Sequence, residues 1–191
     1  MRAVVTTSER EQATAALLGR ELALISLMAA ATALSAHVRL PLPFTPVPVT
    51  LQTFVVLVAG GLLGARVGAG SQVLYLIVAS LGLPVLAGPT LFGPTGGYLL
   101  GFVAAAALMG HFASRRDWRW TTCGALLASL AIYACGATWL CLVTAQGLGT
   151  GVALGVTPFL GGDALKAVAA VGVIIAGQPA VTRFLRRTPR V

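Results

Sequence analysis

The sequence predicts an all-α membrane protein with six transmembrane helices and both termini in the cytoplasm. Composition, the length of the apolar runs and the placement of the basic residues support this class. The 191 residues are 57% hydrophobic and 9% charged, with a mean hydropathy of +0.90, whereas soluble domains carry about 25% charged residues. The apolar runs are long enough for helices that cross a bilayer.

The apolar runs place the six spans and divide the chain into three parts. The expected spans cover residues 20–38, 49–64, 67–81, 96–112, 121–145 and 163–181. The parts are a cytoplasmic N-terminal segment (1–19), a six-helix membrane domain (20–181) and a basic cytoplasmic tail (182–191). The second and third spans are short for a hydrocarbon core of ~30 Å, so a re-entrant hairpin is the alternative there.

Three uncharged connections separate these spans. Residues 41–50 contain four prolines, which exclude a helix and favour a stiff, extended segment. Residues 82–93 combine glycines with prolines, and residues 146–162 are rich in glycine. We expect all three connections to be loops.

The basic residues predict the orientation of the chain. Eleven of the thirteen fall in segments that six spans would place on one side, the N-terminal segment, the turn at Arg66, the loop around Arg115 and the tail. Arg39 alone falls on the other side, and Lys166 lies in or near the membrane. Cytoplasmic segments are the ones enriched in Lys and Arg. We therefore expect cytoplasmic termini, an uncleaved first span rather than a signal peptide, and the three uncharged loops outside.

Asp163 and Lys166 introduce two charges into apolar sequence at the predicted outer end of the last span. They are three residues apart, so they share one face of a helix. A charge at the centre of a membrane helix costs about 2.5–3.5 kcal/mol, so the pair needs a reason. One hypothesis is a ligand site in which Lys166 attracts a carboxylate and Asp163 accepts N–H donors. The alternative is an internal ion pair that only permits both charges to be buried.

Aromatic and neutral polar residues fall at the same predicted end of the bundle. A site formed by them and the ion pair suits a small, largely apolar organic acid with a polar ring. The candidate substrate-binding residues are Asp163, Lys166, Tyr98, Thr95, Gln52, Phe44 and Phe159.

The sequence contains no recognisable catalytic apparatus. The predicted outer segments hold one histidine, His37, and no second carboxylate near Asp163. Serine-hydrolase, zinc-protease and P-loop motifs are absent from the sequence. The three cysteines lack a CxxC spacing and are expected to be apolar helix residues. We expect a binding or transport protein without a cofactor or a metal, rather than an enzyme.

Ala29 and Ala33 in the first span form a small-xxx-small pair, which lets another helix approach closely. Two interpretations follow from the residues alone. The pair either packs within this chain or docks to another membrane subunit.

Three segments of the chain have distinctive sequences, which read PFTPVPVTLQT at residues 43–53, GPTGGYLLGF at residues 93–102 and PFLGGDALK at residues 158–166. They resemble the BioY family, the biotin-binding S components of energy-coupling factor (ECF) transporters. The resemblance implies a six-helix protein of the cell membrane that captures extracellular biotin. It also implies a transmembrane coupling protein and two cytoplasmic ATP-binding cassette (ABC) ATPases as partners, with docking through an Ala-xxx-Ala surface that matches Ala29 and Ala33. Gly161 departs from the Pro-Gly-Asp expected before the last helix.

The leading hypothesis is therefore a biotin-capture subunit for ATP-driven uptake. The first alternative is an S component for another vitamin. The second is an intramembrane enzyme or a proton-coupled carrier in which Asp163 relays protons.

Overall fold

The computed structural model of the chain describes residues 7–186, and these residues are predominantly helical. Two very short strands interrupt the helices, and one turn of 3-10 helix precedes the last helix. In chain order the elements are α1 (Thr7–His37), β1 (Arg39–Leu40), β2 (Val49–Thr50), α2 (Gln52–Ser80), α3 (Gly96–Ala113), α4 (Trp118–Thr144), α5 (Leu148–Gly155), the 3-10 turn (Thr157–Phe159) and α6 (Leu160–Arg186).

The helices confirm a membrane-type bundle. Five stretches in residues 7–186 are long and apolar enough to cross a bilayer, namely Thr14–His37, Gln52–Ser80, Gly96–Ala113, Trp118–Thr144 and Leu148–Leu185. The second covers most of both the second and the third predicted spans.

The helix α2 doubles back on itself at Gly64, which has φ 86° and ψ 169°. A straight helix would separate Gln52 and Tyr75 by about 35 Å at 1.5 Å per residue. The Gln52 amide nevertheless donates a hydrogen bond of 2.8 Å to the Tyr75 hydroxyl. The two halves of α2, residues 52–63 and 65–80, therefore lie side by side as a helical hairpin. Gly64 suits the turn because the positive φ is readily adopted by glycine.

Glycines bring the central helices into close contact. A Cβ atom on Gly60 would lie 2.3 Å from the carbonyl oxygen of Ala106, and one on Gly101 would lie 3.0 Å from the Cα of Ile132. These contacts join α2 to α3 and α3 to α4. Small residues at helix contacts are typical of membrane bundles, where packing replaces the hydrophobic effect. The helix α3 is therefore central, while α1 packs on α2, and α6 packs on α2 and α4.

The predicted loop at residues 146–162 is wrong in part. It contains α5 and the 3-10 turn, and α6 already begins at Leu160. The glycines allow this short helix to pack closely, because a Cβ on Gly151 would lie 2.1 Å from the Cys141 sulfur. Pro158 is tolerated because a backbone N–H at the start of a helix has no helical partner.

The helices that contain the first and last predicted spans extend beyond those spans. The helix α1 begins at Thr7, within the predicted N-terminal segment, and α6 continues to Arg186, within the predicted tail. Residues 15–18, Ala-Ala-Leu-Leu, are strong helix formers and extend α1 beyond its apolar run. The remaining parts of those predictions, residues 1–6 and 187–191, lie outside the described residues.

The proline-rich segment is a loop closed by a small β-ladder. The strands β1 and β2 pair antiparallel, with Arg39 opposite Thr50 and Leu40 opposite Val49. The amide of Leu51 extends the ladder by donating to the carbonyl of Val38 at 3.1 Å. Residues 41–48 between the strands are not helical, as the prolines predicted.

The two ends of the bundle differ in composition. At one end, here called the arginine end, Arg66 pairs with Glu21 at 2.9 Å and Arg116 donates to the Thr182 hydroxyl at 2.8 Å. Arg20 donates to the carbonyl of Leu185 at the same end. The other end, here called the loop end, contains residues 38–51, 81–95 and 145–159.

Candidate functional site

A cavity of about 50 Å³ lies inside the loop end. Its walls are formed by the first half of α2, α3, α4, the start of α6 and the loops that connect them. The lining residues are Val47, Pro48, Thr50, Gln52, Thr53, Ala87, Thr95, Tyr98, Leu99, Phe102, Ile132, Tyr133, Phe159, Asp163 and Lys166.

The cavity brings together six of the seven residues that the sequence suggested for substrate binding. These are Asp163, Lys166, Tyr98, Thr95, Gln52 and Phe159. Phe44 is the exception, because it lies outside the lining and is 58% exposed. It falls in the turn of the proline-rich loop, whereas Val47 and Pro48, nearer to β2, reach the cavity.

Asp163 is the centre of the polar wall. Its Oδ1 accepts from the Lys166 ammonium at 2.7 Å and from the Thr53 hydroxyl at 3.1 Å. Its Oδ2 accepts from the Tyr133 hydroxyl at 2.8 Å. The carboxylate thus ties α6 to α2 and α4, and its side chain is only 12% exposed.

The polar wall keeps some hydrogen-bonding capacity. An ionised carboxylate has about four acceptor positions, and an ammonium group has three donors. Asp163 uses three acceptor positions, and Lys166 uses one donor among the described residues. About one acceptor position and two donors remain. This remainder matches a ligand group that carries an N–H beside a carbonyl oxygen.

Tyr98 forms a second contact between elements. Its hydroxyl donates to the carbonyl of Gly155 at 2.6 Å, which ties α3 to α5. Gly136 makes room for the ring, because a Cβ there would lie 2.2 Å from the ring of Tyr98. The aromatic ring of Tyr98 lines the cavity, and its hydroxyl proton is already used in the hydrogen bond to Gly155.

Gln52 lines the cavity but is mainly held by neighbouring residues. Its amide donates to the Tyr75 hydroxyl, which itself donates to the carbonyl of Val85 at 3.0 Å. This chain of bonds connects the α2 hairpin to residues 81–95. Gln52 therefore positions that loop, whatever it contributes to a ligand.

The loops cover the cavity through hydrogen bonds to backbone carbonyls. Thr45 donates to the carbonyl of Leu154 at 2.8 Å, and Trp139 donates to the carbonyl of Gly93 at 2.9 Å. Arg39 donates to the carbonyl of Ala87, whose side chain lines the cavity. Residues 81–95 are therefore held by side chains of β1 and α4, and the proline-rich loop is tied to α5 by its own Thr45.

Sequence reasoning missed two polar residues of the site, Thr53 and Tyr133. Both bond directly to Asp163. Thr53 directly follows Gln52, which was a candidate, so its position was a usable signal. Tyr133 was visible as a tyrosine in the apolar run of α4, although nothing in the sequence connected it to Asp163.

Ala29 and Ala33 line a different depression, an apolar groove of about 450 Å³ between α1 and the second half of α2. Ala29 is 6% exposed and belongs to the core, whereas Ala33 is half-buried. The pair therefore contributes to packing within this chain and also borders an open surface.

The structure offers no metal-binding cluster in the part of the chain that it describes. Within residues 7–186, no three side chains of His, Cys, Asp or Glu come together. The three cysteines are not joined in disulfides.

Comparison with known proteins decides the family. The sequence model of the BioY family matches residues 7–183. The chain belongs to the BioY family. The resemblance of the three sequence segments to that family is thereby confirmed.

Individual BioY proteins are similar over most of their length. A probable biotin transporter BioY of Pyrococcus horikoshii is 37% identical over 157 residues, which is 80% of this chain and 92% of the relative. The biotin transporter BioY of Rhizobium etli is 35% identical over 167 residues, with 79% and 89% coverage.

A crystal structure has the same fold. It is the S-component for biotin from an ECF-type ABC transporter, and it matches with a TM-score of 0.75 and 26% identity. The match covers 91% of this chain and 94% of that one.

Proposed function

We propose that this BioY protein is the substrate-capture subunit of an ECF-type transporter and binds extracellular biotin for ATP-driven uptake. The observation that carries the proposal is the cavity around Asp163 and Lys166, in a chain whose fold matches an S-component for biotin. Curated relatives are named biotin transporters. The chain captures a ligand and is not an enzyme.

The chemistry of biotin suits the cavity. Its ureido ring carries two N–H donors and a carbonyl oxygen on a bicyclic, otherwise apolar body. The free acceptor position of Asp163 fits an N–H, and the free donors of Lys166 fit the carbonyl. Tyr98, Phe102 and Phe159 supply apolar and aromatic walls for the ring system.

Binding requires the cavity to enlarge. Ligand pockets typically enclose about 300 Å³ or more, whereas this one holds about 50 Å³. The loops that cover it are attached by a few hydrogen bonds, such as Thr45 to the carbonyl of Leu154 and Trp139 to the carbonyl of Gly93. Outward movement of these loops admits the ligand, and their return encloses it.

The proposed topology has six membrane crossings, with both termini cytoplasmic and the loop end outside the cell. The hairpin at Gly64 supports the count, because the two halves of α2 then cross in opposite directions. Contacts at the arginine end support the sidedness, because Arg66 pairs with Glu21 in the middle of α1 and Arg116 bonds to Thr182 near the end of α6. Cytoplasmic segments are those enriched in arginine.

The proposed partners are a transmembrane coupling protein and two ABC ATPases, which supply the energy. The groove that contains Ala29 and Ala33 is the proposed docking surface. Small residues there let a partner helix approach closely.

Ala33→Leu tests the docking surface. We expect it to spare biotin binding by the isolated chain and to reduce uptake by the assembled transporter at least fivefold, because the added side chain fills the groove. Ala29→Leu is the contrasting variant. Because Ala29 is buried, this substitution should also lower the thermal stability of the chain. Loss of binding with Ala33→Leu would show that this residue packs only within the chain.

The function is tested by binding of labelled biotin to the isolated, detergent-purified chain. We expect saturable binding that excess biotin displaces and that riboflavin or thiamin does not. Tight binding of another vitamin without biotin binding would reassign the subunit. Uptake that is sensitive to uncouplers and indifferent to ATPase-inactive partners would instead indicate a proton-coupled carrier.

A further inference from the structure

Arg39 is an exposed arginine at the loop end. It lies in β1 and donates to the carbonyl of Ala87. It lines two surface depressions of about 820 and 290 Å³, which both also contact residues 87–89. Ala87 lines both depressions and also the inner cavity. Arg39 therefore lies at the outer surface, next to residues 81–95, which cover the cavity.

The charge of Arg39 has no counterion in the described structure. The ion pairs in residues 7–186 are Arg66 with Glu21 and Lys166 with Asp163. The loop segments 37–51, 81–95 and 145–159 contain no aspartate or glutamate. A guanidinium has five donors, and Arg39 uses one of them on Ala87. An exposed cation at the mouth of the site thus keeps free donors for an anion.

The interior of the site disfavours a carboxylate. Asp163 carries a negative charge there, and Lys166 is already paired with it at 2.7 Å. A second carboxylate would face the first beside side chains that are only 12% and 15% exposed, where like charges repel more strongly than in water. An organic acid with a polar ring therefore binds with the ring next to Asp163 and the carboxylate directed toward the loops.

We propose that Arg39 is the carboxylate subsite at the mouth of the cavity. It attracts the anionic end of the ligand from solution, and it binds that end while the ring occupies the inner cavity. The planar guanidinium can hold a carboxylate in a bidentate manner and still reach the Ala87 carbonyl, because its donors lie on different edges. The bound acid thereby connects β1 to the covering loop. This inference rests on the proposed function. It predicts that the subunit binds free organic acids in preference to their neutral esters.

Association and dissociation rates of two ligands provide the test. The probes are biotin and its neutral methyl ester, each mixed with the purified full chain and with Arg39→Gln. We expect the association rate of biotin to fall about tenfold at low ionic strength and to lose most of its salt dependence, because rim charges act mainly on encounter rates. The rates for the methyl ester should change less than twofold.

The control variants separate charge from loop support. Arg39→Lys keeps the charge without the planar fork, so it should retain fast association but release biotin several-fold faster. Arg183→Gln removes an exposed arginine from α6 and should change neither ligand. If Arg39→Gln slows both ligands equally, Arg39 only holds the loop and the inference is overturned. If the parent chain fails to bind biotin at all, the proposed function is overturned, and the inference fails with it.

Discussion

A comparison of two polar clusters among the helices shows differences in charge, in the number of unused hydrogen-bonding groups and in exposure. The Asp163 cluster comprises Asp163, Lys166, Thr53 and Tyr133, and it joins α6 to α2 and α4. The Gln72 cluster comprises Thr32, Ser71 and Gln72, and it joins α1 to the second half of α2. The first borders a cavity, and the second does not contribute to that cavity.

The Gln72 cluster is neutral and completely enclosed. The Gln72 amide nitrogen donates to the hydroxyl of Thr32 at 3.2 Å and to that of Ser71 at 3.0 Å. All three side chains are 0% exposed, and the Gln72 Oε1 has no hydrogen-bond partner. Both hydroxyls donate to carbonyls of their own helices. The cluster therefore fixes the contact between two helices.

We infer from this difference which buried polar groups indicate a ligand site. Both clusters interrupt apolar helices, so burial alone does not distinguish them. The Asp163 cluster holds opposite charges, retains unused donors and an acceptor position, and faces empty space. Gln72, whose Oε1 is unpaired, does not line that cavity. Spare hydrogen-bonding capacity beside a cavity, rather than polarity, is the distinguishing property.

The largest expected effect comes from breaking the ion pair. Asp163→Asn leaves the Lys166 ammonium without its counterion, and Lys166→Met leaves the carboxylate unpaired. Each change should weaken biotin binding at least tenfold, or about 1.4 kcal/mol. Each should also destabilise the fold, by about 3–5 kcal/mol if the pair behaves as other buried pairs do. Equilibrium binding and thermal unfolding in detergent measure the two effects.

The double variant Asp163→Asn with Lys166→Met separates binding from stability. It removes both charges, so most of the lost thermal stability should return. Biotin affinity should stay low, because the acceptor and donors for the ligand are gone. Recovery of affinity together with stability would mean that the pair is an internal ion pair only.

The sequence predicted the chemistry of this site better than its geometry. Asp163 and Lys166 were recognisable because their spacing places them on one helix face. Their partners Thr53 and Tyr133 come from other helices, and the rotation of those helices is not readable from an apolar sequence. In a membrane bundle, side chains that face lipid and side chains that face the core are both apolar, so the amphipathic period that orients soluble helices is weak.

The fold was predictable to a similar extent. Apolar runs located α1, the two halves of α2, α3, α4 and α6, and prolines located the loop at residues 41–48. The short helix α5 was missed because its glycines read as loop residues, whereas close packing against α4 stabilises it in the structure. That Phe44 does not line the cavity was unpredictable for a related reason, since a turn within a proline-rich loop sets which side chains face inward.

A smaller effect is expected from removing one hydroxyl of the Asp163 cluster. Tyr133→Phe deletes the 2.8 Å bond to Oδ2 and leaves the ring in place. Loss of one hydrogen bond to a charged group costs about 1.5–3 kcal/mol, part of which returns if a ligand N–H occupies the freed oxygen. We expect biotin affinity to fall about threefold to tenfold by titration. Thr53→Val should act in the same direction at Oδ1, and an increase in affinity with both variants would contradict a supporting role for these hydroxyls.

Gln72→Met, which alters the Gln72 cluster, should have the smallest effect on binding. Methionine has a similar length, loses two hydrogen bonds worth about 0.6 kcal/mol each in a membrane bundle, and removes the unpaired Oε1. The loss of these hydrogen bonds and the removal of the unpaired oxygen have opposite effects on stability. The free energy of unfolding should therefore change by less than about 1 kcal/mol. Biotin affinity, measured in the same titration as for Asp163→Asn, should stay within twofold of the parent chain. A tenfold loss would show that the Gln72 cluster is coupled to the cavity through the α2 hairpin, and the distinction between a ligand site and a helix contact would then fail.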